Sequence, residues 1–504
     1  MSPGSALAMH TGSAFAPRRG ALLLAAALIL AGAGSLAAQD ASAQDASSDE
    51  DMFGKEETVA PAAKSSGEAE GKSEFLKYDQ VKVGGSLIGK VGYDSIWSPA
   101  WDGSAKLFKP TDNFITPDLE GRVNLVAKPT VDFGVDMEAR AAWPFSSTNA
   151  LTGATYTPSA TSGLAANAVA ESETLTPSNI TVWSLYSKFN WLDKVYFSFG
   201  KQPLSWGVSK SYFQPADDVF ALSPTIDPTD TTQEREGPVS LKTTIPLGAT
   251  KNLYFIAALP ADTGDSTKVD PADARLAAKW EFGFGDTEAA LAAFYSYNDH
   301  SRLLAMATTG FGRWNLYGEA IGKYGSERYF IEEDPSVPKL GLSGGAQSDR
   351  LYFTGTFGGY YTDSDDYLTI NLAYLYNGES QSKVDAAEAL AYYEAYTNQY
   401  DGIRFGAHYA FASISKTDIL PDSFGVDKLS ASIIAIASLS DGSGIVMPSF
   451  TWKFFDYMSL KTGLSFNFGE AGDEFIVEGL GQGFGATKPG MDFNLLLTVG
   501  TGDF

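Results

Sequence analysis

The side chains able to do acid–base or metal chemistry are few. His300 and His408 are the histidines beyond His10, which lies in a segment expected to be removed. Hydrolytic chemistry needs a histidine base, or paired carboxylates, beside a nucleophile. Neither arrangement assembles here: His300 falls in a tight turn, and His408 shares a strand face with Arg404. The adjacent acids Glu56-Glu57, Asp217-Asp218 and Asp365-Asp366 would point to opposite faces of a strand, and in loops they are solvated. Asp363-Ser364-Asp365-Asp366 is rich in oxygen but lacks the loop spacing of an EF-hand. With no cysteine in the chain, disulfides, thiolate zinc sites and iron–sulfur clusters are excluded. The sequence therefore reads as no enzyme, with no metal and no cofactor.

The elements that hold these residues point the same way. Among 504 residues, 36 Lys and Arg face 61 Asp and Glu, a net charge of −25. That balance argues against nucleic acid as a partner. A mean hydropathy of −0.11 argues against a bundle of membrane helices. The chain is nevertheless rich in Gly, Tyr and Phe, with 51, 24 and 32 of them.

From Val81 onward the pattern has period two. Val81, Val83, Leu87, Val91, Tyr93 and Trp97 alternate with Lys82, Ser86, Lys90 and Asp94. The segments Leu119–Lys128 and Val131–Trp143 repeat the alternation, so each strand has one apolar and one charged face. The strands run about 10 to 14 residues, twice the usual soluble length and enough to cross a bilayer. Tight turns near 129, 192, 248, 285, 310, 364 and 456 rotate with loops at 98–117, 144–179, 203–236, 260–272, 326–348, 377–399 and 469–489. The exceptions are tight connections at Asn298–Ser301 and Asp441–Gly444 on the loop side, and a longer one near 415–426 on the turn side. Short turns at one end and long loops at the other mark an outer-membrane barrel. The expected fold is all-β, a transmembrane antiparallel β-barrel of about 18 strands (between about 16 and 20), with both ends in the periplasm. Trp97, Trp143, Trp183, Trp191, Trp280 and Trp314 fall near strand ends, where aromatic girdles form. The helix-like run Lys383–Tyr396 is expected as a short helix in an outer loop.

Ahead of the barrel, Arg18-Arg19, the apolar run Ala21–Ala33 and Ala41-Ser42-Ala43 read as a secretory signal peptide over 1–43. Residues 44–78 are expected to be a disordered acidic periplasmic linker; Asp40–Glu74 holds ten acids and three lysines. The barrel then occupies 79–504.

Two resemblances extend this reading. Phe504, the last residue of a terminal strand, resembles the assembly signal of outer-membrane barrels of diderm bacteria, which implies the barrel-assembly machinery as a partner. Here Met491, Phe493, Leu495, Leu497 and Val499 have the parity opposite to Phe504, and a bulge at Gly500-Thr501-Gly502 would restore the phase. The run Gly200-Lys201-Gln202-Pro203-Leu204-Ser205-Trp206-Gly207, followed by Gln214-Pro215-Ala216-Asp217-Asp218-Val219, resembles a stretch of porin-like barrels related to the alginate-export type. That family implies a monomeric or near-monomeric export or uptake pore, embedded in outer-membrane lipid.

With the apolar parity on lipid, the other parity lines a pore. Lys90, Arg122, Arg140, Lys242, Arg275, Lys279, Arg313, Lys323, Arg350, Arg404 and His408 are the candidate lining residues. Acids on that face are Asp94, Glu120, Asp132, Asp136, Glu138, Glu281, Glu319 and Asp492. The wall leans positive inside an acidic protein, which suits small polar or anionic solutes. In general porins the third loop folds inward, and by that resemblance 203–236 forms a constriction with Trp206, Asp217 and Asp218 in it and Lys201 and Gln202 at its root, Asp217 and Asp218 opposing Arg122 or Arg140. The alternatives are a surface adhesin or structural barrel with long binding loops, and a hydrophobic-solute transporter.

Overall fold

The computed structural model describes residues 81–97, 112–130, 132–144, 147–149, 155–156, 180–219, 237–248, 250–259, 274–296, 300–326, 328–333, 342–346, 350–363, 367–381, 386, 405–420, 428–455, 457–477 and 490–500. All lie in one compact unit, Ser48–Phe504. The segments expected as signal peptide (1–43) and linker (44–78), Arg404, Phe504 with its proposed bulge, and all of the helix-like run except the helical Ala386 fall outside them.

Eighteen strands form a closed antiparallel barrel. They are β1 (Val81–Trp97), β2 (Asp112–Thr130), β3 (Phe133–Pro144), β4 (Ile180–Trp191), β5 (Val195–Lys201) and β6 (Val239–Gly248). Then follow β7 (Lys251–Leu259), β8 (Arg275–Phe284), β9 (Thr287–Ser296), β10 (Arg302–Phe311), β11 (Trp314–Tyr324) and β12 (Leu351–Asp363). The wall ends with β13 (Leu368–Asn377), β14 (His408–Lys416), β15 (Leu429–Ser438), β16 (Gly444–Phe455), β17 (Met458–Phe468) and β18 (Met491–Gly500). Each strand pairs with its neighbours in sequence. Closure comes from β1 against β18, in register from Ile88↔Gly500 to Trp97↔Met491. Closing the sheet leaves no unpaired edge, the condition for strands to cross a bilayer. A two-stranded arm (Tyr329–Glu333 with Leu342–Ala346) rises from the connection between β11 and β12.

The connections alternate as the sequence indicates, including the three exceptions to the rhythm. Residues 297–301 and 439–443 are short connections at the loop end, and 417–428 is a longer one at the turn end. Positive φ angles at Leu192, Asp193, Gly285 and Gly312 mark the tight turns, where the strand twist demands left-handed residues.

The outward face is apolar from strand to strand. Val83, Leu87 and Val91 on β1, Leu303 on β10 and Phe357 on β12 all project away from the barrel, Leu303 being 69% exposed. A continuous belt of such residues requires apolar surroundings. Trp191, Trp280, Phe284, Phe311, Phe455 and Tyr457 are exposed near the turn-side ends of their strands, and Tyr295, Tyr324, Tyr374 and Tyr376 near the loop-side ends.

Trp183 departs from its expected place. The β3–β4 register shifts between Glu138 and Ala139, and one extra residue turns a side chain to the other face. Trp183 therefore meets the inward Arg140, whose guanidinium lies 3.8 Å from its ring centroid.

Candidate functional site

After β5 the chain leaves the wall and packs inside the barrel. The departure is pinned at its root: Gln202 Nε2 donates to the Ser240 carbonyl (3.2 Å) and hydroxyl (2.9 Å) on β6. From there the segment 202–219 is largely buried, with Phe213 and Ala216 at 0% exposure.

The segment is held together by the residues of its own motif. Trp206 Nε1 donates to the Ala216 carbonyl at 2.6 Å. The Asp217 carboxylate accepts from the Trp206 N–H (2.7 Å) and the Gly207 N–H (2.8 Å), and Ser205 Oγ donates to it as well. The two halves of the run thus grip one another, with the aspartate doing the work of a turn cap on a stretch with no ladder of its own.

Barrel residues then fix the segment to the wall. Glu319 on β11 accepts from the N–H groups of Val208 (2.7 Å) and Ser209 (2.7 Å) at one oxygen and of Ala216 (3.1 Å) at the other. A carboxylate taking three backbone donors in a buried setting forms strong charge-assisted bonds. Gly207 makes room for it, since a Cβ there would stand 2.6 Å from Glu319 Oε1. Lys279 Nζ on β8 donates to the Trp206 carbonyl at 3.3 Å and pairs with Glu281 at 3.1 Å. Arg275 donates to the Val219 carbonyl, and Asn371 on β13 to the Lys210 carbonyl.

Apolar contacts spread along much of the wall. Trp206, Ala216 and Val219 pack on Ile256, Phe294, Leu304, Met306 and Ile321, which belong to β7 and β9–β11. Tyr212 and Phe213 pack on Leu375, Tyr409, Phe411, Ile436, Ile445 and Met447, from β13–β16. Each large side chain so buried stabilises the arrangement by about 1.5–3 kcal/mol.

The inward faces of β1–β4 carry ion pairs instead. Lys90 (3.4 Å) and Arg122 (2.7 Å) bind Glu120, Arg140 binds Glu138, and Lys188 reaches Asp136 at 3.2 Å. Arg122 and Arg140 face each other across the β2–β3 ladder. A closed wall with an apolar belt, a charged interior and an inward strap decides the class. The chain is a closed, membrane-spanning antiparallel β-barrel with an inward strap.

No protein-family model matches the chain, and no curated protein matches it. Among solved structures, it is similar to OccAB1 of Acinetobacter baumannii at 13% identity and a TM-score of 0.44, covering 83% of this chain and 96% of that one. A BenF-like porin from Pseudomonas fluorescens Pf-5 gives 10% identity, a TM-score of 0.45 and coverage of 84% and 98%. OccK8 (OprE) of Pseudomonas aeruginosa gives the same four values. At these values the similarity adds nothing to what the strand pairing already establishes.

Lys90, Arg122, Arg140, Lys242, Arg275, Lys279 and Lys323 all stand on the inward parity of the barrel, and Lys279 and Arg275 clasp the strap. Lys242 and Lys279 approach the Tyr254 ring at 5.4 and 4.7 Å. Lys323 pairs with Glu379 at 2.8 Å. Arg313 lies in the turn between β10 and β11, bonded to Asp363, and Arg350 lies beside Tyr352 at the start of β12.

Three placements correct the sequence reading. His408 is on the outward face, stacked with Tyr374 and Tyr376, its Nδ1 2.6 Å from the Tyr374 hydroxyl. Apolar side chains turn inward on β14 because Tyr212 and Phe213 fill the lumen there, so the parity is reversed. Lys201 pairs across with Leu185 and Val239, both exposed on the outer face, and so sits on the rim. The Asp217 carboxylate is turned onto the strap's own backbone, while Arg122 and Arg140 bind Glu120 and Glu138. Gln202 and Trp206 are built into the strap, and Asp218 is half-buried on its short 3₁₀ turn.

Proposed function

We propose that this barrel is a water-filled channel for passive diffusion of small polar solutes, with a weak preference for anions. The observation that carries this reading is the one-sidedness of the strap. Among the described residues its apolar packing partners lie on β7–β11 and β13–β16, whereas β1–β4 present Lys90, Arg122, Arg140 and Lys188 with their acids. A charged wall left beside an apolar, occupied one supports a wet path along β1–β4. Fields in a low-dielectric channel are set by such near charges more than by the total.

Reversal potentials across planar bilayers under a salt gradient test the preference. The expected result is anion permeability about two- to threefold above that of cations, as weakly charged walls give. Clear cation preference contradicts the anionic part. Absence of any conductance from the folded barrel favours a surface-binding role for its loops.

A further inference from the structure

Between residues 202 and 219 the strap carries three charged side chains, Lys210, Asp217 and Asp218. The Asp217 carboxylate is buried on the N–H groups of Trp206 and Gly207, and Asp218 is half-buried. Lys210 is exposed. Because the strap lies inside a closed wall, the water that an exposed strap side chain meets is that of the lumen.

Local structure forces this exposure. Ser209 and Ser211, on either side of Lys210, are buried, and both hydroxyls donate to the Phe213 carbonyl, at 2.6 and 3.2 Å. Serine hydroxyls bonded to nearby backbone fix a turn, and Lys210 stands at its apex. The Lys210 carbonyl accepts from Asn371 Nδ2 on β13, and Asn371 Oδ1 accepts from the buried Tyr317 hydroxyl on β11 at 3.3 Å. Gly358 on β12 leaves room for that hydroxyl, since a Cβ there would stand 2.5 Å from it. The wall therefore fixes Lys210 by its backbone.

The strands at this point supply no charge of their own. Among the described residues, the inward faces of β12–β15 carry no charged side chain. The charged wall lies opposite: β13 is nine strands from β4 whichever way round the ring of eighteen is followed. There β1–β4 hold Lys90, Arg122, Arg140 and Lys188.

We propose that Lys210 is a selectivity-determining residue, the cation that the strap brings to the uncharged wall, so that a permeating anion meets positive side chains on both sides of the lumen. Lining cations favour anions, and near charges set the potential in a low-dielectric channel. The strap's contribution to selectivity is then opposite in sign to that of its two aspartates. The proposal rests on the channel reading and names a residue that acts in it.

The chain has no cysteine, so K210C gives the folded barrel a single thiol, and its backbone can keep the bond to Asn371. Reversal potentials under a salt gradient are read from the wild type, from K210C, and from K210C labelled after folding. The labels are methanethiosulfonates bearing a quaternary ammonium or a sulfonate, with labelling verified by mass and folding by heat-modifiable migration. The anion-to-cation permeability ratio is expected to fall about twofold in K210C, to recover with the ammonium label and to fall further with the sulfonate. K210Q, which is long but uncharged, is expected to match unlabelled K210C. Conductance with a ratio that ignores the sign of the label overturns this proposal and leaves the channel reading standing. No conductance from the wild type overturns both.

Discussion

Replacing Glu319 with alanine is expected to open the pore. The change removes one carboxylate and leaves the N–H groups of Val208, Ser209 and Ala216 without their acceptor. An unmet buried donor costs about 1–3 kcal/mol, so the strapped state loses on the order of 3–5 kcal/mol once water relieves part of the deficit. The apolar contacts of Trp206 and Phe213 oppose release but do not fix where the backbone lies. The expected outcome is a single-channel conductance raised about twofold or more, with larger current noise, as a locally stabilised element becomes a fluctuating one. Gly207→Val should act from the other side, because its side chain would occupy the space of Glu319 Oε1. The barrel itself should still form, since the β-ladders do not depend on either residue. Unchanged conductance in both variants, each with normal heat-modifiable migration, would show that the strap is held by its apolar contacts alone.

The second large effect concerns charge. Arg122 and Arg140 are cross-strand neighbours on the inward face of β2 and β3, a part of the wall outside the strap's apolar packing clusters among the described residues. Replacing both with glutamate changes the local charge by four units and sets the new acids against Glu120 and Glu138. Near charges dominate the potential in a low-dielectric channel, so the reversal potential should change sign, with cation permeability exceeding anion permeability by about fivefold. The same exchange at Arg313, whose guanidinium is tied to Asp363 at the turn end, should shift it far less. Equal shifts from the two positions would mean that solutes do not travel along β2 and β3.

Much of this architecture is legible in the chain, and the reason is geometric. Period-two alternation assigns a face to every residue of a long strand, and alternating connection lengths count the crossings. Even the irregular connections at 297–301, 417–428 and 439–443 follow from that count. The face rule fails where its premise fails. On β14, Tyr409 and Phe411 are apolar yet inward, because Tyr212 and Phe213 make the local lumen apolar, and His408 is turned out as a result. Trp183 is inverted by a bulge opposite Glu138 and Ala139, which no alternation reveals in advance. The strap's motif could be recognised, but its landing place could not. Glu319 lies 111 residues from Val208, and periodicity places its side chain in the lumen without saying what meets it there. The residues that do so within the motif are now explicable. Trp206 spans to the Ala216 carbonyl, Gly207 clears space for a carboxylate, and Asp217 takes the two N–H groups between them.

That the strap narrows a conducting lumen is the central claim, and single-channel conductance of the purified barrel with and without residues 204–218 tests it most directly. The expected result is stable discrete steps from the intact chain and clearly larger steps once the strap is replaced by a short Gly-Ser link. Equal steps from the two barrels, or none from either, would contradict it.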